Sequence, residues 1–163
     1  MIMRKGFTLI EILIVVAIIA ILASIVLIGL GPAQQSGRDA RRLSDLHEIQ
    51  NALELYYNKC GYYPGTANCG SNADAGSMAA VNIAVAGSAL GINSALPQDP
   101  SAGASYFYNS FSNGTTYTLG AKLENPNSSV FQNYTPPTNI PTGHKCDGTI
   151  TGGTMSQEYC ITL

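Results

Sequence analysis

Few side chains in this 163-residue sequence are able to do chemistry, and they are oddly placed. Glu11 is the single charged residue from Phe7 to Leu30, in a stretch otherwise dominated by Ile, Leu, Val and Ala. A carboxylate there is costly unless it snorkels to a polar boundary or meets a matched cation. Four cysteines follow: Cys60, Cys69, Cys146 and Cys160. An even count in a small polar domain behind an apolar segment reads as a disulfide set. Of the three pairings, Cys60 with Cys69 and Cys146 with Cys160 are favoured because both close short loops, each contributing about 2–4 kcal/mol. Zinc is the competing reading, but it usually takes closely spaced cysteine pairs.

The imidazoles are His47, beside Glu48 in a helical pattern, and His144, beside Lys145 and Cys146. Both read as solvated or packing residues. There is no Gly-rich phosphate loop and no His/Cys metal spacing. The sequence therefore predicts no enzyme, no metal and no cofactor. Charged residues make up 11% of the chain and the formal net charge is -2. Arg38, Arg41 and Arg42 stand among Asp39 and Asp45, which predicts a mixed, solvated helix face and no nucleic-acid surface.

The element that must position Glu11 is a helix over residues 7–30. At 1.5 Å per residue it would run about 36 Å, enough for a bilayer core of about 30 Å. Arg4 and Lys5 precede it and no charge follows until Arg38, so the positive-inside rule places the N-terminus in the cytoplasm. A discarded secretory signal has a shorter apolar region and a small-x-small cleavage site. A plain membrane anchor leaves Glu11 unexplained.

Gly6-Phe7-Thr8-Leu9-Ile10-Glu11 resembles the processing motif of type IV prepilins and pseudopilins. That resemblance implies cleavage between Gly6 and Phe7 by a prepilin peptidase, methylation of the new amino group at Phe7, and loss of the leader, residues 1–6. It also implies that Glu11 and Thr8 act in assembly. The family's partner for the glutamate is the N-terminus of a neighbouring subunit, which makes Glu11 a register pin between helices. The implied partners are the peptidase, copies of this chain, minor pilins or pseudopilins, an inner-membrane platform protein, an assembly ATPase and the membrane itself. The implied location is a single pass through the inner membrane, then a periplasmic or extracellular filament.

Beyond the membrane segment, Gly29 to Pro32 predicts an end, kink or melted stretch. Helix resumes over about residues 36–58, with Leu43, Leu46, Ile49 or Gln50, Leu53 and Tyr57 on the apolar face. Arg38, Arg42, Asp45, Glu48 and Glu54 are expected to be solvated between them. Residues 60–100 read as a variable loop, with a short helix possible over 78–86. Strands are expected over 106–111, 115–123 and 158–163, within a sheet region 104–163. Tyr117, Leu119, Ala121 and Leu123 alternate onto one face of the second strand, which suits a sheet with one side on a helix. Residues 31–163 thus read as one globular domain of α+β class, and the order, a long N-terminal helix on a small antiparallel sheet with a disulfide-tied C-terminal loop, resembles the pilin fold. Three asparagine sequons, at Asn113, Asn127 and Asn133, are chance in so Asn- and Thr-rich a chain.

Residues 61–64, 96–100 and 106–108 also resemble the major pseudopilins of type II secretion. Those proteins usually carry an acidic calcium site in the C-terminal loop. Between Pro141 and Cys160 the acidic residues here are Asp147 and Glu158 alone, too few for a calcium motif. A C-terminal cysteine pair resembles the loop of many type IV pilins. The sequence therefore favours a pilus subunit, with a major pseudopilin of type II secretion as the alternative and a membrane-anchored extracellular binding domain as a third reading.

Overall fold

The computed structural model describes residues 6–65, 69, 78, 79, 81, 82, 95–125, 129–146, 150, 151, 154, 155 and 157–163. The chain divides into two compact units, Met1–Gln35 and Ser36–Leu163. One helix assignment, α1 over Leu9–Cys60, runs through both. Of the outcomes expected at Gly29 to Pro32, an end to the helix is not found: Pro32 lies inside it. Proline removes one backbone donor, and the turns on either side keep their own bonds. At the other end Gly61 takes φ 77° and its N–H donates to the Tyr57 carbonyl at 2.8 Å, a left-handed cap.

In the first unit the stretch Leu9–Val26 is long and apolar enough to cross a membrane, and none of it is buried within the chain. In the second unit α1 packs one face into a core. Leu46, Ile49, Leu53 and Tyr56 are fully buried there, in one cluster with Tyr63, Val81, Tyr106, Tyr108, Tyr117, Leu119 and Ala121. Complete burial of each large aliphatic side chain contributes about 1.5–3 kcal/mol. The expected stripe needs correcting at its ends: Leu43 is half-buried, and Tyr57 is 37% exposed where Tyr56 is inside. The buried seam is Asp39, Arg42, Leu46, Ile49, Leu53, Tyr56, alternating steps of three and four.

Strand β1 (Phe107–Phe111) and strand β2 (Thr116–Lys122) form an antiparallel hairpin. Its turn places Ser112, Asn113 and Gly114 at φ 53°, 57° and 80°. Gly114 is required there: a side chain would press on Tyr62 and the Tyr63 backbone, while its carbonyl accepts the Tyr63 N–H at 2.7 Å. Two short strands, β3 (Ile150–Thr151) and β4 (Thr154–Met155), pair as a separate hairpin. Strand β5 (Glu158–Thr162) adds antiparallel to β2, giving the sheet order β1-β2-β5.

Tyr117, Leu119, Ala121 and Leu123 are all buried, as their alternation requires. On the opposite face of β2, Thr118 and Gly120 are buried as well while Lys122 is exposed, a partial second cover that the one-sided expectation missed. Thr118 is fully buried and its hydroxyl donates to the Asn139 carbonyl. Tyr159 pairs with Ala121 and so lies on the helix side of the sheet, where Tyr134 and Phe131 pack on it with ring centroids at 5.2 and 6.4 Å. Asn139 on Thr118, His144 on Phe107 and Cys146 on Cys160 cover the other side. Disulfides join Cys60 to Cys69 and Cys146 to Cys160, closing the two short loops. Of the possible helix over 78–86, Met78, Ala79, Val81 and Asn82 are helical and the rest lies outside the described residues.

Candidate functional site

The N-terminal motif is built around a helix start. Gly6, Phe7 and Thr8 precede α1 in non-helical conformation, with Phe7 83% exposed. Thr8 is the N-cap and Glu11 the third helical residue. The Thr8 backbone N–H donates to Glu11 Oε2 at 2.8 Å and the Thr8 hydroxyl donates to the same oxygen at 2.6 Å. The Glu11 N–H donates in return to Thr8 Oγ1 at 3.4 Å. This is a capping box, in which each side chain satisfies backbone donors the helix start leaves open. From sequence, Glu11 needs either a polar boundary to snorkel to or a matched cation. The structure gives it partners inside its own chain, and the Thr-x-x-Glu spacing was the signal for them.

The peptide bond between Gly6 and Phe7 therefore lies just outside the helix, on an exposed and irregular stretch. Downstream, Ile10, Leu13, Val16, Ile18, Ile21 and Ile25 are exposed. One end of the motif is open to a processing enzyme, and the helix after it has no cover from its own chain.

The second concentration of polar groups was not foreseen. Arg42 is 2% exposed, and its guanidinium meets three carboxylates. Its Nε donates to Asp99 Oδ2 at 2.8 Å and Nη2 to Asp99 Oδ1 at 2.9 Å. Nη1 donates to Asp39 Oδ1 at 2.8 Å, and Nη2 lies 2.8 Å from Glu124 Oε1. Arg38 forks onto Glu124 with Nε at 2.9 Å and with Nη2. Asp39 also accepts the backbone N–H groups of Glu124 and Asn125, each at 2.9 Å. The solvated face expected of Arg42, Asp39 and Asp45 is instead interior, because these positions continue the heptad seam of Leu46, Ile49, Leu53 and Tyr56. Asp45 completes it by accepting the Tyr106 hydroxyl at 2.6 Å.

The electrostatics follow from these contacts. The hydrogen bonds from Arg38 pull the Glu124 carboxyl down to about 2, against a burial effect and with help from Arg42 and Ser101. Burial alone would raise Asp99, but the Arg42 and Ser101 bonds outweigh it and the net shift is downward. Burial pushes the Tyr106 hydroxyl well above its ordinary range, and its bond to Asp45 adds to that. These groups tie α1 to the 96–101 loop and to the end of β2, within the globular head formed by the second unit.

His47 is exposed on α1, and His144 lies with Nδ1 3.0 Å from Glu158 Oε1 while its ring stacks on Phe107. The four cysteines are held as disulfides. The motif residues belong to the first unit, and the histidines and cysteines to the second.

A long N-terminal helix, apolar and uncovered at its start and packed on a three-stranded antiparallel sheet at its end, is a pilin-like α+β fold. Residues 1–27 match the family model described as the prokaryotic N-terminal methylation motif. The chain carries the prepilin-type motif of type IV pilins and pseudopilins.

Its similarity to particular proteins points to one branch of them. The type II secretion system core protein G of Escherichia coli (strain K12) is 36% identical over 63 residues, 39% of this chain and 43% of that protein. The core protein G of Aeromonas hydrophila is 35% identical over 63 residues, 39% of this chain and 44% of its own length. That of Vibrio cholerae serotype O1 is 38% identical over 66 residues, with 39% and 45% covered. The similarity thus spans less than half of each relative. These relatives favour the secretion alternative over the pilus reading. No solved structure matches at the same stringency.

Proposed function

We propose that this chain is the major pseudopilin of a type II secretion system, a structural subunit with no catalytic role. A prepilin peptidase cleaves it after Gly6 and methylates Phe7. The apolar helix holds it in the inner membrane, with the head on the periplasmic side. A platform protein and an assembly ATPase then draw copies of it, with minor pseudopilins, into a helical filament.

The observation that carries this reading is the bare apolar helix. The Leu9–Val26 stretch has no cover from its own chain, so its side chains need lipid or each other. A subunit that exchanges one for the other moves from membrane to filament without exposing apolar surface to water. Glu11 gives the exchange its register. In the membrane the carboxylate is satisfied by Thr8. In the filament the ammonium of a neighbour's Phe7 competes for it, and a charged partner makes the stronger hydrogen bond. The similarity to core protein G supports secretion as the use of the filament.

A type IV pilus subunit is the second reading, favoured by the Cys146–Cys160 bond across the C-terminal loop. Intact-mass measurement of the cellular protein tests the processing: the expected species starts at a methylated Phe7. Glu11→Ala is expected to insert in the membrane and fail to assemble. A chain that keeps residues 1–6 and still polymerises sinks the proposal. Filament microscopy beside a secretion assay in the deletion strain separates the pseudopilus from the pilus.

A further inference from the structure

Major pseudopilins of type II secretion usually carry an acidic calcium site in the C-terminal loop, and the described donors here do not suit that ion. Glu158 opens β5, with its side chain 14% exposed. Its Oε1 lies 3.0 Å from His144 Nδ1, and its Oε2 accepts the N–H groups of Lys145 at 2.6 Å and Cys146 at 3.3 Å. A nitrogen facing a carboxylate at that distance carries its proton, so three N–H groups converge on this carboxylate. Calcium needs six to eight oxygens at about 2.3–2.6 Å. Three of the roughly four lone-pair directions of Glu158 thus face N–H dipoles, positive end inward, which oppose a cation. Among the described residues no group of three or more His, Cys, Asp or Glu side chains is gathered to hold a metal. Asp147 lies outside the described residues.

The same contacts do the work a loop-closing ion would do. A turn at Gly143, φ 90°, brings the His144 N–H to the Pro141 carbonyl at 3.1 Å. Cys146 takes φ 48°, a left-handed position that a non-glycine residue occupies only when its surroundings hold it. Its amide is on Glu158 and its sulfur is bonded to Cys160, two residues further along β5. The His144 ring lies on Phe107 with centroids 3.7 Å apart. Phe107 in turn lies over Gly120, where a side chain would strike its ring. Tyr134 adds a second attachment, its hydroxyl accepting the Cys160 N–H at 3.0 Å and donating to the Cys160 carbonyl at 3.2 Å.

We infer that the Glu158 carboxylate, clamped by His144 and the 145–146 amides beside the Cys146–Cys160 bond, closes the C-terminal loop in place of calcium, so the head keeps its fold without a divalent cation. Only the comparison with calcium-bearing pseudopilins rests on the proposed function. Monomer unfolding and loop cleavage can be read whether or not the chain polymerises.

The test uses the full-length, oxidised protein in detergent. Thermal unfolding is measured in excess EGTA and in millimolar calcium, with limited proteolysis of segment 134–146 alongside. The expected result is one Tm in both buffers and no heat of calcium binding. His144→Phe keeps a ring on Phe107 and removes only the bond to Oε1; cleavage of the segment should then rise about tenfold. Glu158→Gln should raise it further, equally in both buffers. A Tm raised by calcium, or a cleavage rate indifferent to both substitutions, overturns the inference.

Discussion

Arg42 holds Asp99 with two nitrogens at once, Nε 2.8 Å from Oδ2 and Nη2 2.9 Å from Oδ1, across 57 positions of chain. The pair is sealed, at 2% and 1% side-chain exposure. It joins the helix to the 96–101 loop, and the shared carboxylates of Asp39 and Glu124 join both to the end of β2.

Removing one member strands the others. Arg42→Ala leaves Asp99 and Asp39 buried without their cation, and breaking a buried pair typically costs about 3–5 kcal/mol. Arg42→Lys keeps the charge but loses the fork and should recover only part of that. Arg38→Ala, at a side chain 36% exposed, should cost far less because water replaces its contact. Urea unfolding of the three variants checks the order.

Acid should loosen the same network. Glu124 has a folded value of about 2 against an ordinary 4.5, and Asp99 is also lowered from 3.8. A carboxylate whose value is depressed by folding stabilises the fold above its ordinary value, and loses that contribution as pH falls through the folded one. The head should therefore be level in Tm above about pH 5 and fall between about pH 4.5 and 2. Glu124→Gln should flatten that part of the profile.

Two glycines should respond in opposite directions. At Gly120 an added methyl meets the Phe107 ring and lies 2.9 Å from the Tyr159 carbonyl oxygen. Gly120→Ala should destabilise by about 1–3 kcal/mol. Gly37 is helical with nothing near its would-be Cβ, so Gly37→Ala should stabilise the monomer by about 0.5–1 kcal/mol. Denaturant midpoints of the two variants give the signs directly.

The capping box should be visible at the first turn of α1. Thr8→Ala removes the hydroxyl and weakens the helix start by about 1 kcal/mol. Amide hydrogen exchange in micelles should then speed up at Leu9, Ile10 and Glu11 and stay unchanged beyond Ile14. Uniform exchange along the whole helix would argue that Thr8 does not set its beginning.

What could be read from sequence is local. The apolar stretch rests on consecutive apolar residues, the hairpin on alternation through Tyr117, Leu119, Ala121 and Leu123, and the amphipathic helix on steps of three and four through Leu46, Ile49 and Leu53. Each is a pattern within about ten positions, where neighbouring side chains decide the backbone. The Thr8 to Glu11 box is equally local, since its Thr-x-x-Glu spacing lies within one helical turn.

Arg42 was misplaced for a different reason. Its own neighbours, Arg38, Asp39, Arg41 and Asp45, look like a solvated helix face, and nothing nearby says otherwise. The heptad continued upward from Leu46, Ile49, Leu53 and Tyr56 puts Arg42 and Asp39 on the buried seam, yet a buried guanidinium is affordable only when distant carboxylates meet it. Those come from Asp99 and Glu124. The Glu158 clamp has the same character, since β5 must first pair with β2 before its carboxylate can face residues 144–146.

The sequence alone determined the parts whose causes are near neighbours: an apolar helix with one acid, the motif at its start, two loops short enough to staple and three strands. Tertiary structure decided which charges went inside and what closed the last loop. Burial of a charge depends on partners far along the chain, and only folding brings them within hydrogen-bonding distance.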